Sequence, residues 1–402
     1  MSSNTQSFKG WNVLGGGFVN AMLIAGAAIY AFGLFVIPIQ EEFNLSREQV
    51  NYGILGLYVS MMVWAVLVGR WLETKSAKAF SIAGGVAFGL GYLLIATAQH
   101  PAVFLIAVLG PLGFGLTAAG PFLANILAAR WFTQKRGRAL GIAAIATSAG
   151  GFAVVPVFAA LIERYGWRQA TLIMAAIVTT AVLLISWKFV IGRPEDIDQH
   201  PDGIKGQVTQ TSSPQKERFI NRSDFWLISL GTGLLLGCDQ ALLASLIPYG
   251  EGLEFSKQQA AFVMTAITGS AILGKLLVGW LSERFDKRLL FALVCLCNIS
   301  FLLALLMRPS YAQLITISAF VGLAIGGVYP VWTTLTAQAF GRENFSRVIG
   351  AMNLITVPLM LISVTIIGRT FDQTGSYDLA FKIFIPQVVL AAILVFFVRQ
   401  KT

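Results

Sequence analysis

Two ionisable residues, Asp239 and Lys275, stand inside long apolar runs of the sequence. A lone charge in hydrocarbon costs at least about 2.5–3.5 kcal/mol on insertion scales, so such residues face a cavity, a partner or an ion path. Lys275 has one alternative. It lies near the charged end of its run, and its stem is long enough to snorkel the amine to that end. The two signs in consecutive runs suggest a chemistry. Asp239 and Lys275 neutralise each other in an empty site, a substrate carboxylate competes for Lys275, and the freed Asp239 takes a proton. The plainer reading of Asp239 is a carboxylate that lines the cavity without titrating. No nucleophile–base pair, metal-ligand spacing or cofactor loop accompanies these residues. His100 and His200 are far apart, and the cysteines (Cys238, Cys295, Cys297) read as small buried hydrophobes. The glycines of Gly110-Pro111-x-Gly113-x-Gly115 imitate a nucleotide loop, but they lie within an apolar run with no strand before them.

The elements that must position these residues are membrane helices. The 402 residues are 56% hydrophobic and 12% charged, with mean hydropathy +0.73. Apolar runs fall near 11–38, 50–71, 79–99, 102–127, 138–161, 168–191, 225–249, 258–281, 289–307, 311–339, 347–368 and 379–398, each long enough to span a bilayer. The N-terminus lacks a basic region followed by a small-residue cleavage site, so the first run is expected to be a retained span. With the N-terminus inside, 21 of the 29 Lys and Arg fall in cytoplasmic segments and seven on the opposite side. That asymmetry predicts cytoplasmic termini and a multi-pass protein of the inner (cytoplasmic) membrane. It also accounts for the net charge of +10 without nucleic acid, for which no soluble basic face exists.

The one long polar segment lies between spans six and seven and reads as a cytoplasmic linker. It divides the chain into residues 1–191, a linker at 192–224, and residues 225–402. The two halves align on each other. At a shift of 210, Pro38 meets Pro248, Ser46 meets Ser256, Gln49 meets Gln259 and Gly69 meets Gly279. At a shift of 209, Gly113 meets Gly322, Pro121 meets Pro330, Arg138 meets Arg347 and Gly141 meets Gly350. The expected fold is all-α: twelve transmembrane helices in two pseudo-symmetric six-helix bundles, with a substrate site at midplane.

This sequence resembles the major facilitator superfamily along essentially its whole length. The turn Gly279-x-x-x-Glu283-Arg284-Phe285-Asp286-Lys287-Arg288 is similar to the signature loop between spans eight and nine. Its counterpart, Gly69-Arg70-Trp71-Leu72-Glu73-Thr74-Lys75, is degenerate and lacks the usual Asp-Arg-x-Gly. Three stretches resemble the monocarboxylate porter and oxalate:formate antiporter branch. They are Gly10-Trp11 through Tyr30-x-Phe32-Gly33 to Phe43-x-Leu45-Ser46-Arg47; Trp131-Phe132-x-x-Lys135-Arg136-Gly137-Arg138 with Gly166-Trp167-Arg168; and Pro248-Tyr249. The resemblance implies that Lys275 stands where the branch holds the substrate carboxylate, usually with Arg. The branch's acid four residues earlier would fall on Ala271 and is absent. The antiporters' second basic residue in span eleven is also absent, which favours a monoanion over a clamped dicarboxylate.

Tyr30 and Tyr329 resemble pocket tyrosines of the branch. Asn125 and Asn353 offer donors to a carboxylate, with interhelical hydrogen bonding as the alternative. Gly69, Arg70, Gly279, Glu283, Arg284, Asp286 and Arg138 are the candidate gating residues. The expected function is alternating-access transport of a small organic anion, a monocarboxylate such as lactate or pyruvate, with proton symport through Asp239. The partners are that anion, protons and the bilayer, the protein acts as a monomer, and no cofactor, metal or catalytic residue is implied. The alternatives are organic anion exchange, or proton-coupled efflux of amphiphilic drugs with Asp239 as the cation site.

Overall fold

The computed structural model describes residues 8–204 and 219–399, with side chains except those of Arg136, Glu283 and residues 341–347. Among the described residues every regular element is helical. Eleven helices are long and apolar enough to cross a membrane. The longest, Gly137–Phe189, is two spans, because Gly166 breaks it at φ 76° and ψ 160°. The twelve spans are α1 (Gly10–Phe43), α2 (Arg47–Thr74), α3 (Ala77–Thr97), α4 (Pro101–Trp131), α5 (137–165), α6 (167–189), α7 (Ser223–Gly252), α8 (Lys257–Arg284), α9 (Lys287–Leu306), α10 (Tyr311–Phe340), α11 (Val348–Thr374) and α12 (Asp378–Phe396).

The internal repeat reaches individual hydrogen bonds. Asn44 ends α1 in the left-handed conformation (φ 51°), and Glu254, 210 residues later, does the same after α7 (φ 66°). At the start of α2, the Ser46 N–H donates to Gln49 Oε1 at 2.9 Å and the Gln49 N–H to Ser46 Oγ at 3.2 Å. Ser256 and Gln259 repeat this reciprocal cap at 3.0 and 3.1 Å at the start of α8. Ser76 caps α3 and its equivalent Asp286 caps α9. The glycines match in function as well. A Cβ on Gly113 would meet Ser60 Oγ at 1.9 Å, and one on Gly322 would meet Ser270 Oγ at 2.0 Å.

Two compact units result, Met1–Ala31 with Gly56–Thr209, and Phe32–Leu55 with Gln210–Thr402. Their division differs from a cut at the linker, because residues 32–55, early in the chain, pack with the later helices. Both ends of that segment are marked locally. α1 changes to a 3₁₀ turn at Tyr30–Phe32, and Gly53 and Gly56 lie where α2 passes from one unit to the other.

Within the first unit, α4 is bent by a π turn over Val108–Leu112, which contains Pro111. Proline removes an N–H from the ladder, and the Leu109 carbonyl instead accepts from Ser60 Oγ and from Trp64 Nε1 at 3.2 Å, both on α2. At the end of this unit where the N-terminus lies, Trp131 and Phe132 are fully buried. Trp131 Nε1 donates to the Ile191 carbonyl at 3.0 Å, while Phe8 and Trp11 pack on the two rings. The start of the linker is folded onto this platform. Asp202 accepts from the N–H of Thr133 (2.7 Å) and of Gln134 (2.6 Å) and from the Thr133 hydroxyl (2.7 Å), ahead of α5. Partial burial works to raise the Asp202 pKa, but the bonds from Thr133, Gln134 and Lys135 outweigh it and hold the carboxyl below its usual range. A depressed carboxylate stabilises above its unfolded pKa of about 3.9 and loses that contribution only as pH falls below it. The clasp is therefore fully formed at neutral pH.

Two outcomes follow from this packing. Asp202→Ala is expected to raise the rate of tryptic cleavage in the linker at pH 8 by roughly fivefold or more, from the loss of charge-assisted bonds. Gly274→Ala, whose Cβ would meet the Leu323 carbonyl oxygen at 2.2 Å, is expected to lower the melting temperature in detergent. Gly141→Ala, with nothing within 4 Å, is expected to hold or raise it.

Candidate functional site

The second unit holds most of the candidate site, and its geometry depends on one seam. Gly274 of α8 meets Leu323 of α10, Ala271 meets Gly326, and Val278 meets Gly327, each so closely that a Cβ on the glycine would fall within 3 Å of the neighbour. This contact fixes the rotation of α8 about its axis. Its packed face carries Ile267, Ala271, Gly274 and Val278, and its open face carries Leu273, Leu276, Leu277 and Trp280, 48–61% exposed. Lys275 follows Ala271 by one helical turn and the fully buried Thr268 by two. It therefore projects on the packed side, half-buried, away from the leucine face.

Asp239 is placed differently from the expectation. It is 1% exposed on α7, lies near Cys295 of α9, and both of its carboxylate oxygens are buried without a hydrogen-bond partner. The ion pair with Lys275 expected for an empty site is not formed. α7 turns Gly233 and Gly237 to α11 and Gly231 to α12, and Asp239 lies in the interior of the unit.

The remaining candidates divide between the units. Tyr30 lies in the first unit, at the 3₁₀ break of α1, beside the Thr147 and Ser148 hydroxyls. Asn125 is exposed on α4 in the same unit. Tyr329 is 55% exposed on α10, with its ring 5.4 Å from that of the buried Trp332. Asn353 is half-buried on α11. Among the described residues neither asparagine amide is hydrogen-bonded to another helix, so interhelical bonding does not account for them. Lys275, Tyr329 and Asn353 thus share the second unit, and Tyr30 and Asn125 share the first.

Of the candidate gating residues, Gly69 approaches Phe122 at 3.7 Å and its equivalent Gly279 approaches Pro330 at 4.0 Å. These are ordinary contacts. Arg70 and Arg138 are exposed. Arg284 lies 4.2 Å over the Trp280 ring, and Asp286 pairs with Arg288 at 3.0 Å while capping α9. The Glu283 side chain lies outside the described residues. The sequence reading missed Arg47, Asn51, Asp372 and Tyr377, which form a polar cluster in the second unit. Ser46-Arg47 drew attention only as part of a branch motif and, for Ser46, of the internal repeat.

Two bundles of long apolar helices, related by an internal repeat and holding a basic residue on the packed side of the eighth, define a multi-pass membrane transporter. The profile of the Major Facilitator Superfamily matches residues 18–238 and 228–402, and the chain belongs to that family. Monocarboxylate transporter 12 of Mus musculus is 26% identical over 97% of this chain and 85% of its own. Monocarboxylate transporter 13 of Rattus norvegicus is 24% identical over 93% and 85%. The uncharacterized MFS-type transporter YcxA of Bacillus subtilis is 24% identical over 90% and 89%. The first two carry the name of the monocarboxylate branch that the motifs resemble. A bacterial homologue of the human lysosomal transporter Spinster has the same fold, with a TM-score of 0.74 at 16% identity over 98% of this chain and 97% of its own.

The seam generates the test of this geometry. Gly326→Val, whose Cβ would meet the Ala271 carbonyl oxygen at 2.2 Å, is expected to abolish transport by displacing α8. Gly350→Val, in open space, is expected to leave transport within about twofold of wild type, checked by uptake normalised to membrane-inserted protein.

Proposed function

We propose that this protein transports a small monocarboxylate, such as lactate or pyruvate, by alternating access, and that Lys275 holds the substrate carboxylate. The observation that carries this reading is the placement of Lys275 on the packed side of α8, where an ammonium is retained at a cost only if it meets a counter-charge. The printed names of the relatives, monocarboxylate transporters 12 and 13, support it. So does the lack of charge in the span-eleven stretch around Asn353, which leaves one cation for one carboxylate. Tyr329 and Asn353 offer a hydroxyl and an amide on the same unit, and Tyr30 and Asn125 offer theirs on the other. A lysine gives a point charge rather than the bidentate fork of arginine, so selectivity among small monoanions falls to these neighbours.

Proton symport is part of the proposal, with Asp239 as the carrier. A carboxyl with both oxygens buried and unpartnered is a place for a proton, since an ionised group there would need a partner it does not have. Coupling then works through helix movement that opens Asp239 to water, and not through exchange of an ion pair with Lys275. Arg284, Asp286, Arg70 and Arg138 would serve the movement of the ends of the helices that bear the charged turns.

Purified protein in detergent is to be screened by thermal shift against monocarboxylates, dicarboxylates, amino acids and lipophilic cations. A monocarboxylate at about 100 times its Kd should stabilise wild type by roughly 2.7 kcal/mol and leave Lys275→Ala unmoved. Stabilisation by cations alone, equal in the variant, would discard the anion reading. In proteoliposomes, Asp239→Asn should lose accumulation driven by a pH gradient while keeping exchange of labelled for unlabelled substrate. Undiminished accumulation would remove Asp239 from the coupling.

A further inference from the structure

The first unit brings three hydroxyl groups together from stretches of helix that are otherwise apolar. Tyr30 has the one side-chain oxygen or nitrogen between Asn20 and Gln40, and Thr147 and Ser148 have the two between Arg138 and Glu163. Their meeting is set by a glycine crossing of α1 and α5. A Cβ on Gly26 would fall 2.6 Å from the Gly150 carbonyl oxygen, and one on Gly150 would fall against the Met22 carbonyl oxygen. The two backbones therefore touch with no side chain between them. Tyr30 follows Gly26 by one helical turn, and Thr147 and Ser148 stand just before Gly150. Side chains of a helix lean toward its N-terminus, so the Tyr30 phenol comes back across the crossing, where its hydroxyl bonds with those of Thr147 and Ser148.

The hydrogens of this cluster have internal places. Thr147 Oγ1 donates to the Ala144 carbonyl at 3.1 Å, so toward Tyr30 it accepts. The Tyr30 hydrogen is thereby engaged inside the cluster, and what remains for a ligand is oxygen lone pairs. The cluster has an open side. Ser148 is 2% exposed, but Tyr30 and Thr147 are only half-buried, and Ala144, one turn before Ser148, is exposed. Acceptors held half-open in apolar walls meet either water or a donor on a ligand.

We infer that Tyr30 and Thr147 form a subsite for a hydrogen-bond donor on carbon 2 of the substrate, and that the substrate class is the 2-hydroxy monocarboxylate rather than the 2-oxo acid. This rests on the monocarboxylate reading proposed above and narrows it. A 2-hydroxyl has a hydrogen to give to the Tyr30 or Thr147 oxygen. A 2-oxo group has only lone pairs, and to receive it the Tyr30 hydrogen must first leave its bond within the cluster. An unsubstituted acid offers nothing in place of the water it displaces.

The test is uptake of lactate, pyruvate and propionate into proteoliposomes holding the full-length protein, compared by kcat/KM. Wild type is expected to favour lactate over each of the others by roughly fivefold to tenfold, the scale of one net hydrogen bond. Thr147→Val, which keeps the shape, and Tyr30→Phe are each expected to bring the lactate-to-propionate ratio toward unity, chiefly through KM. Thr147→Ser, which keeps the hydroxyl, should keep the wild-type order. A merely structural role would lower all three acids together and leave their ratios alone. Should Tyr30→Phe fail to insert, the two Thr147 variants decide. Wild type that moves none of the three acids would discard the monocarboxylate reading and the subsite with it. Wild type that moves them but favours pyruvate, or whose ratios survive Thr147→Val, would overturn the subsite alone.

Discussion

Helices in hydrocarbon gain nothing by excluding water from one another, so their association depends on how closely two backbones approach. In this protein that constraint is met by glycines placed opposite small residues or bare carbonyls. The α8–α10 seam, with Gly274, Gly322, Gly326 and Gly327, determines which side of α8 faces inward. The position of Lys275 follows from it. So does the contrast with Asp239, whose helix is turned by its own glycines toward α11 and α12. The chemistry of the site is thus set by residues that carry no chemistry themselves.

The Asp239 oxygens have no hydrogen-bond partner, which changes what the proposed coupling would mean. An ion pair would let substrate and proton compete through contact. Without such a pair the helices connect the two groups, and the proton and the anion would be linked through the set of conformations that each one favours.

Much of the fold was legible in the sequence because membrane spans must satisfy every backbone group within the span. Length and hydropathy therefore found each helix, and the shifts near 210 found the duplication down to Ser46 and Ser256. The rotations of the helices were less legible. Lys275 could be placed at a depth but not on a side, since the sides are decided by glycine contacts such as Ala271 with Gly326. Asp239 was judged by its sign and depth, and the partner assigned to it was the basic residue read as lying within the neighbouring span. The clasp at Asp202 and the seat at Asp372 were missed for one reason. In both, a carboxylate meets the amides of a distant segment, and backbone N–H groups leave no signature in a sequence.

Residues 32–55 belong to the first repeat and pack with the second unit. A duplicated six-helix unit would be expected to keep its own second corner, yet here the first repeat's corner is counted with the second repeat while the equivalent corner around 242–265 stays at home. The sequence still carries the duplication there, with Glu163 at the position equivalent to Asp372 and Lys257 at that of Arg47. Expressed as two fragments cut between 204 and 219, the later one would lack a piece of its own packing, and reassembly would have to begin with the donation of that corner.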